Sequence, residues 1–189
     1  MGIGILVALA LILVAALYGI MIYNNLVRLR HNVARAWSNI DVALKQRHDE
    51  LPKLVEVCKQ YMGYERDTLE RVVRARGAVA EASRRGDMRA LGAAETELRA
   101  GLGQLFALVE NYPDLKANDS FRHLSDRITQ LEETIADRRE LYNDSANLNN
   151  IRIEQFPDSL LAGLANSRPF DLLEFKEARA DPDLKALFG

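Results

Sequence analysis

Residues 33–61 read VARAWSNIDVALKQRHDELPKLVEVCKQY. Val33, Trp37, Ile40, Leu44, Leu51, Leu54, Cys58 and Tyr61 recur there at helical spacing with polar residues between them, which draws one apolar stripe along a helix. Nothing in the stretch alternates as a strand does, and no Asn-Gly or Asp-Gly turn interrupts it. Pro52 falls in phase with the stripe, although an interior proline removes a hydrogen bond and costs about 3 kcal/mol. Two readings are open. One long helix bends at Pro52, or Asp49 caps a new helix whose first turn holds Pro52, where the missing N–H is harmless. The second is preferred, and gives four long antiparallel helices in an up-and-down bundle.

Toward the N-terminus the chemistry changes. Residues 3–22 are Ile, Leu, Val, Ala and Met interrupted by Gly4, Tyr18 and Gly19, and the first charged side chain is Arg28. A helix of about 20 such residues, rising 1.5 Å each, crosses a hydrocarbon core of about 30 Å. A cleaved signal peptide would need basic residues before the run and a small-residue cleavage site, and neither is present around Tyr23-Asn24-Asn25-Leu26. Arg28, Arg30 and Arg35 follow the run before the first acid, Asp41, so the N-terminus is expected outside and the remainder in the cytoplasm. Gly4, Ala8, Ala15 and Gly19 include small-xxx-small pairs of the kind that let spans approach closely.

Toward the C-terminus the stripe continues through Leu69, Val72 and Val79 to Arg84-Arg85-Gly86, a helix stop, and Asp87 stands where an N-cap belongs. Leu91, Leu98, Leu102, Leu105 and Val109 mark the next helix, which ends before Tyr112-Pro113; Asp114 to Asn118 are expected as a polar loop. Asn118 or Asp119 then caps a helix carrying Phe121, Leu124, Ile128, Leu131, Ile135 and Tyr142, stopped at Phe156-Pro157. The expected organisation is all-α: a transmembrane anchor over 1–27, a bundle of three to four long helices over 28–156, and a tail over 157–189.

Chemistry is sparse. The 25 basic and 27 acidic residues leave a formal charge of −2, without the field that draws a chain to nucleic acid. The one cysteine, Cys58, makes no internal disulfide, which suits a reducing compartment. His31, His48 and His123 stand in no Glu-x-x-His pair, Gly101-Leu102-Gly103 follows no strand, and Ser38, Ser83, Ser120 and Ser125 sit in helical or capping contexts. No catalytic residue, cofactor, metal or small-molecule substrate is expected. Three features exceed ordinary core and surface patterning. Trp37 is followed by the polar run Ser38, Asn39 and Asp41. The helix after Asn118 turns asparagine-rich beyond Tyr142 at Asn143, Asn147, Asn149 and Asn150, which implies either fraying or amide bonds to another helix. Phe156, Leu160, Leu161 and Leu164 make an apolar segment, capped by Asp158 or Ser159, that lies on lipid if it returns to the membrane face.

Tyr23-Asn24-Asn25-Leu26-Val27, Arg30, Ala36-Trp37-Ser38-Asn39-Ile40-Asp41-Val42, Leu44-Lys45-Gln46-Arg47, Pro52 and Leu54-Val55-Glu56 together resemble the LemA family of bacterial membrane proteins. Tyr61, Glu65, Ala75-Arg76, Tyr112 through Asn118, Tyr142-Asn143 and Phe156-Pro157 extend the resemblance in order over roughly residues 20–163. The chain departs from that pattern at Glu50-Leu51, Lys53 and Lys59-Gln60-Tyr61, and in the run Asn166-Ser167-Arg168-Pro169-Phe170 with its extension to Gly189. The resemblance implies a helical bundle behind an N-terminal span, no established biochemical activity, and, from relatives linked to magnetosome membranes, a role in membrane organisation. The resulting expectation is a non-catalytic scaffold of the bacterial inner membrane that contacts the lipid bilayer, forms a homo-oligomer and organises other membrane proteins. An adaptor working through the helix end and tail is the alternative. Candidate interface residues are Trp37, Ser38, Asn39, Asp41, Tyr142, Asn143, Asn149, Phe156, Leu160, Leu161 and Leu164.

Overall fold

A computed structural model of the chain describes residues 2–175. Among them are six helices and no strand: α1 (Gly2–Tyr61), α2 (Arg66–Arg85), α3 (Met88–Val109), the short α4 (Pro113–Ala117), α5 (Asp119–Glu154) and the short α6 (Asp158–Ala162). Two compact units form, one from residues 2–43 with 133–172 and the other from 44–132 with 173–175, so α1 and α5 each contribute to both. The expected tail beyond Phe175 lies outside the described residues.

Asp49 does not start a helix: α1 passes through Pro52 unbroken. The reason is a distant side chain. Proline lacks the N–H that would bond the carbonyl of residue i−4, which here belongs to His48. Arg76 of α2 supplies the missing donor, its Nε bonding the His48 oxygen at 2.9 Å. The Arg76 Nη2 also meets the His48 Nε2 at 2.7 Å. Because a guanidinium only donates, this Nε2 is the acceptor and the ring is neutral.

The break sits further on, at residues 62–65, where Met62 is buried, Gly63 turns and Tyr64 stands 98% exposed. The stripe keeps its phase across this turn from Cys58 to Leu69, so periodicity does not reveal it. The turn between α2 and α3 is the expected one: Gly86 adopts φ 68, in the left-handed region that favours glycine, and the Asp87 carboxylate accepts from the Ala90 N–H at 2.9 Å. Val72 faces Gly101, where an added Cβ would come within 3.4 Å of its Cγ2, and Arg71 pairs with Glu97 at 2.8 Å, so α2 and α3 lie antiparallel. Asp114 to Asn118 are not a plain loop, because Pro113 opens the single helical turn α4 and Leu115 plugs the core. Asn118 then caps α5, its Oδ1 accepting from the Phe121 N–H at 3.0 Å.

The core of the second unit is aliphatic: Leu51, Leu54 and Cys58 of α1, Leu69 and Val72 of α2, Leu91, Leu98 and Leu105 of α3, and Ile128 and Leu131 of α5 are all buried. Arg47 is buried with them at 1% exposure. It occupies the stripe position between Leu44 and Leu51, and Glu95 fills the matching gap between Leu91 and Leu98. The Arg47 guanidinium bonds both Glu95 and Glu132, with the Nη1 to Glu95 Oε2 bond at 3.0 Å, and Arg99 pairs with the Glu132 carboxylate at 3.1 Å. Burial by itself lowers the Arg47 pKa, but the two carboxylates outweigh it and the net shift is upward, so the cation stays charged.

Candidate functional site

In the first unit, α1 and α5 run antiparallel, and Trp37 meets Tyr142 edge-on with centroids 5.9 Å apart at 62°. Trp37 is half-buried, Ser38 and Asn39 are exposed, and Asp41 is half-buried. The Asn39 carbonyl accepts from Arg138 Nη1 at 2.6 Å. An open groove nearby is lined by Asn32, Arg35, Asn39, Arg138, Leu141 and Ser145.

The candidate interface residues Tyr142 and Asn149 are buried against this chain's own segment after α6, and α5 does not fray before Glu154. The Tyr142 hydroxyl donates to the Asp171 carbonyl at 2.9 Å, and the Asn149 Nδ2 to the Arg168 carbonyl at 2.9 Å. Burial, and then the charge of Asp171, push the Tyr142 phenol up. Asn150 does more. Its Nδ2 donates to the Phe170 carbonyl and its Oδ1 accepts from the Phe170 N–H, each at 2.8 Å, so the amide grips a backbone the way a neighbouring strand does. Asn143 is half-buried in the same helix, and Asn147 is exposed. Asn149 and Asn150, with Tyr142, therefore bind a strap over 168–171.

Beyond Glu154 the chain turns into α6. Neither Asp158 nor Ser159 caps it; Pro157 stands at the N-cap, and Asp158 is itself buried, with Arg152 Nη1 3.3 Å from its Oδ2. Ala162 and Ala165 pack on Ile22 and Leu26 of α1, with Leu161 and Ile153 partly buried around them. The Arg30 Nη1 donates to the Ala165 carbonyl at 3.2 Å and closes this turn. Phe156, Leu160 and Leu164 point the other way, 81%, 70% and 73% exposed.

In the second unit, residues 173–175 lie on α3. Leu173 is fully buried, Phe175 lies under the Arg99 guanidinium at 4.8 Å, and the Glu174 carbonyl passes so close to Gly92 that a Cβ there would sit 2.1 Å from it. The Cys58 thiol is buried and pushed up to about 12 by that burial, which leaves it protonated and unreactive. Among the described residues no group of three or more His, Cys, Asp and Glu side chains converges as a metal would need.

Of the candidate residues, the structure brings together Trp37, Tyr142 and the strap. It separates them from the exposed trio Phe156, Leu160 and Leu164. Arg47, Glu95 and Glu132 are not among the candidates, although gaps in the two apolar stripes at 47 and 95, filled by opposite charges, are the available signal; Asn150 stands out in the asparagine-rich helix end but is not among the candidate interface residues.

The sequence model of the LemA family matches residues 36–185. This chain belongs to the LemA family. The match starts later and reaches further than the resemblance read from the residues, and it takes in α6 and the strap. Magnetosome proteins MamQ 1 and MamQ 2 of Paramagnetospirillum magneticum are each 25% identical over 186 aligned residues, covering 86% of this chain and 68% of theirs. Magnetosome protein MamQ of Magnetospirillum gryphiswaldense is 24% identical with the same coverage. Among the described residues this LemA-family chain carries, in α1, one helix long and apolar enough to cross a membrane.

Proposed function

We propose that this LemA-family chain is a membrane-anchored, non-catalytic scaffold that associates with copies of itself and organises the membrane or proteins within it. The observation that carries the reading is α1 itself. From Gly2 to Met21 it is uncharged and, Gly19 apart, exposed, yet the same helix supplies buried core residues from Ile22 to Cys58. A water-facing sheath of that size is unstable, whereas lipid covers it at no cost. Arg28, Arg30 and Arg35 favour a cytoplasmic bundle at the inner membrane.

Self-association draws support from α5, where Leu141, Leu148 and Ile151 recur on one face and are 62%, 50% and 43% exposed. Relatives named for the magnetosome agree with a role at membranes. The adaptor alternative has less behind it among the described residues, because the strap over 168–171 is bound to the chain's own helix.

The test is cysteine crosslinking in intact membranes with Leu148→Cys, paired with light scattering of the full-length protein in mild detergent. A crosslinked dimer and a mass above the monomer are expected, while the native Cys58, being buried, gives no crosslink. A monomeric mass at every concentration would discard the scaffold. Loss of a copurified partner on deleting 157–189, with self-association unchanged, favours the adaptor.

A further inference from the structure

We propose that the corner between α5 and α6 is a second membrane contact, in which Phe156, Leu160 and Leu164 enter the boundary between lipid headgroups and acyl chains beside the anchor. The inference rests on reading residues 3–22 as a span, and it follows from depth. Leu161 Cδ1 comes within 3.9 Å of the Cβ position of Gly19, inside the apolar run, and Ala162 and Ala165 pack on Ile22 and Leu26 at its end. A segment held against residues 19–26 lies at the level where the span leaves the hydrocarbon.

The faces of that segment are divided accordingly. Ala162 and Asp158 turn inward, while Phe156, Leu160 and Leu164 turn outward and are left uncovered among the described residues. An open groove beside them runs from Leu17, Met21 and Phe156 at its apolar end to Arg28 and Arg152 at its polar end, the partition of a membrane interface. Asp158 also lines this groove, but Arg152 neutralises it. Lipid is the occupant the geometry selects, because the exposed patch is continuous with a surface that lipid already covers. Leu141, an exposed leucine of the same unit, lies thirteen residues back along α5 from Glu154, about 20 Å away.

The experiment uses full-length protein carrying Leu164→Cys, or Leu141→Cys for comparison, labelled with an environment-sensitive fluorophore and reconstituted into phosphatidylcholine and phosphatidylglycerol vesicles. Cys58, fully buried, stays unlabelled, which wild-type protein treated in parallel verifies. Brominated acyl chains quench a label only where it touches lipid. The expected result is cosedimentation with vesicles, loss of emission from the label at 164, and unchanged emission from the label at 141. A vesicle-bound protein whose label at 164 reports water overturns the contact and leaves the span standing. A label at 164 shielded from water yet unquenched assigns the corner to a second copy and also overturns it, as does equal quenching at both positions. Protein left in the supernatant overturns the span and the contact together.

Discussion

Residues 2–21 and 44–61 belong to one helix and obey opposite rules. In the first stretch no side chain is charged and almost every one is exposed; in the second Leu44, Leu51, Leu54, Val55 and Cys58 are hidden and a guanidinium is hidden with them. A helix in lipid needs only apolar surface, because its backbone is satisfied internally. A helix in a water-soluble bundle tolerates a buried cation when carboxylates from two other helices meet it. Charge is therefore excluded from the exposed part and admitted to the buried part, the reverse of the usual soluble pattern.

The strongest way to break this contrast is to exchange the rules. Arg47→Ala removes the cation from the buried Glu95 and leaves Glu132 with Arg99 alone, and unfolding of the detergent-solubilised protein, followed by circular dichroism, should show a loss of about 3–5 kcal/mol. Replacing Arg47, Glu95 and Glu132 together by Met, Leu and Gln should recover most of it. The counterpart, Leu11→Arg, puts a charge where none is tolerated and should cost about 2.5–3.5 kcal/mol in an insertion assay with little effect on bundle unfolding.

A smaller effect sharpens the contrast within the second stretch. Arg76→Ala removes the donor that stands in for the Pro52 N–H, and a loss of about 1.5–3 kcal/mol is expected for a hydrogen bond from a charged group. Adding Pro52→Ala restores the intrahelical bond to the His48 carbonyl, so the double variant should be more stable than Arg76→Ala alone. Additive losses in this cycle would remove the compensation.

The smallest effect is a pH slope. Burial, then Arg76, hold the His48 imidazole below its ordinary value. The unfolded chain takes up a proton first as pH falls below about 6.5, so stability present above that value declines as pH falls and levels off below the folded-state value. His48→Gln, whose amide oxygen can still accept from Arg76, should flatten that part of the stability profile measured by denaturant titration between neutral and mildly acidic pH.

Much of the architecture was legible because it is local. Gly86, Asp87, Asn118, Pro113 and Pro157 each act on backbone groups within a turn of themselves, and each punctuates the chain where the sequence places it. Continuity at Pro52 was not legible, since the group that permits it is Arg76, on a different helix. The break at 62–65 was hidden for another reason: Met62 is apolar and in phase, so the stripe runs on while the backbone turns. At the candidate surface, composition marked the asparagines as unusual but not their partner, because Asn150 recognises a backbone and leaves no complementary side chain to find. The apolar corner at Phe156, Leu160 and Leu164 was visible as composition, whereas its position beside residues 19–26 required the fold.

The grip of Asn150 on Phe170 has a further consequence. An amide that reads only peptide groups is indifferent to the side chains of Arg168, Pro169 and Phe170, asks only that residue 170 keep its N–H, and is strict about their distance from α6. Positions 168 and 169 of such a molecule can be rewritten letter by letter and still dock, while a single added or deleted residue between Asn166 and Phe170 carries the peptide group at 170 out of reach of the Asn150 amide.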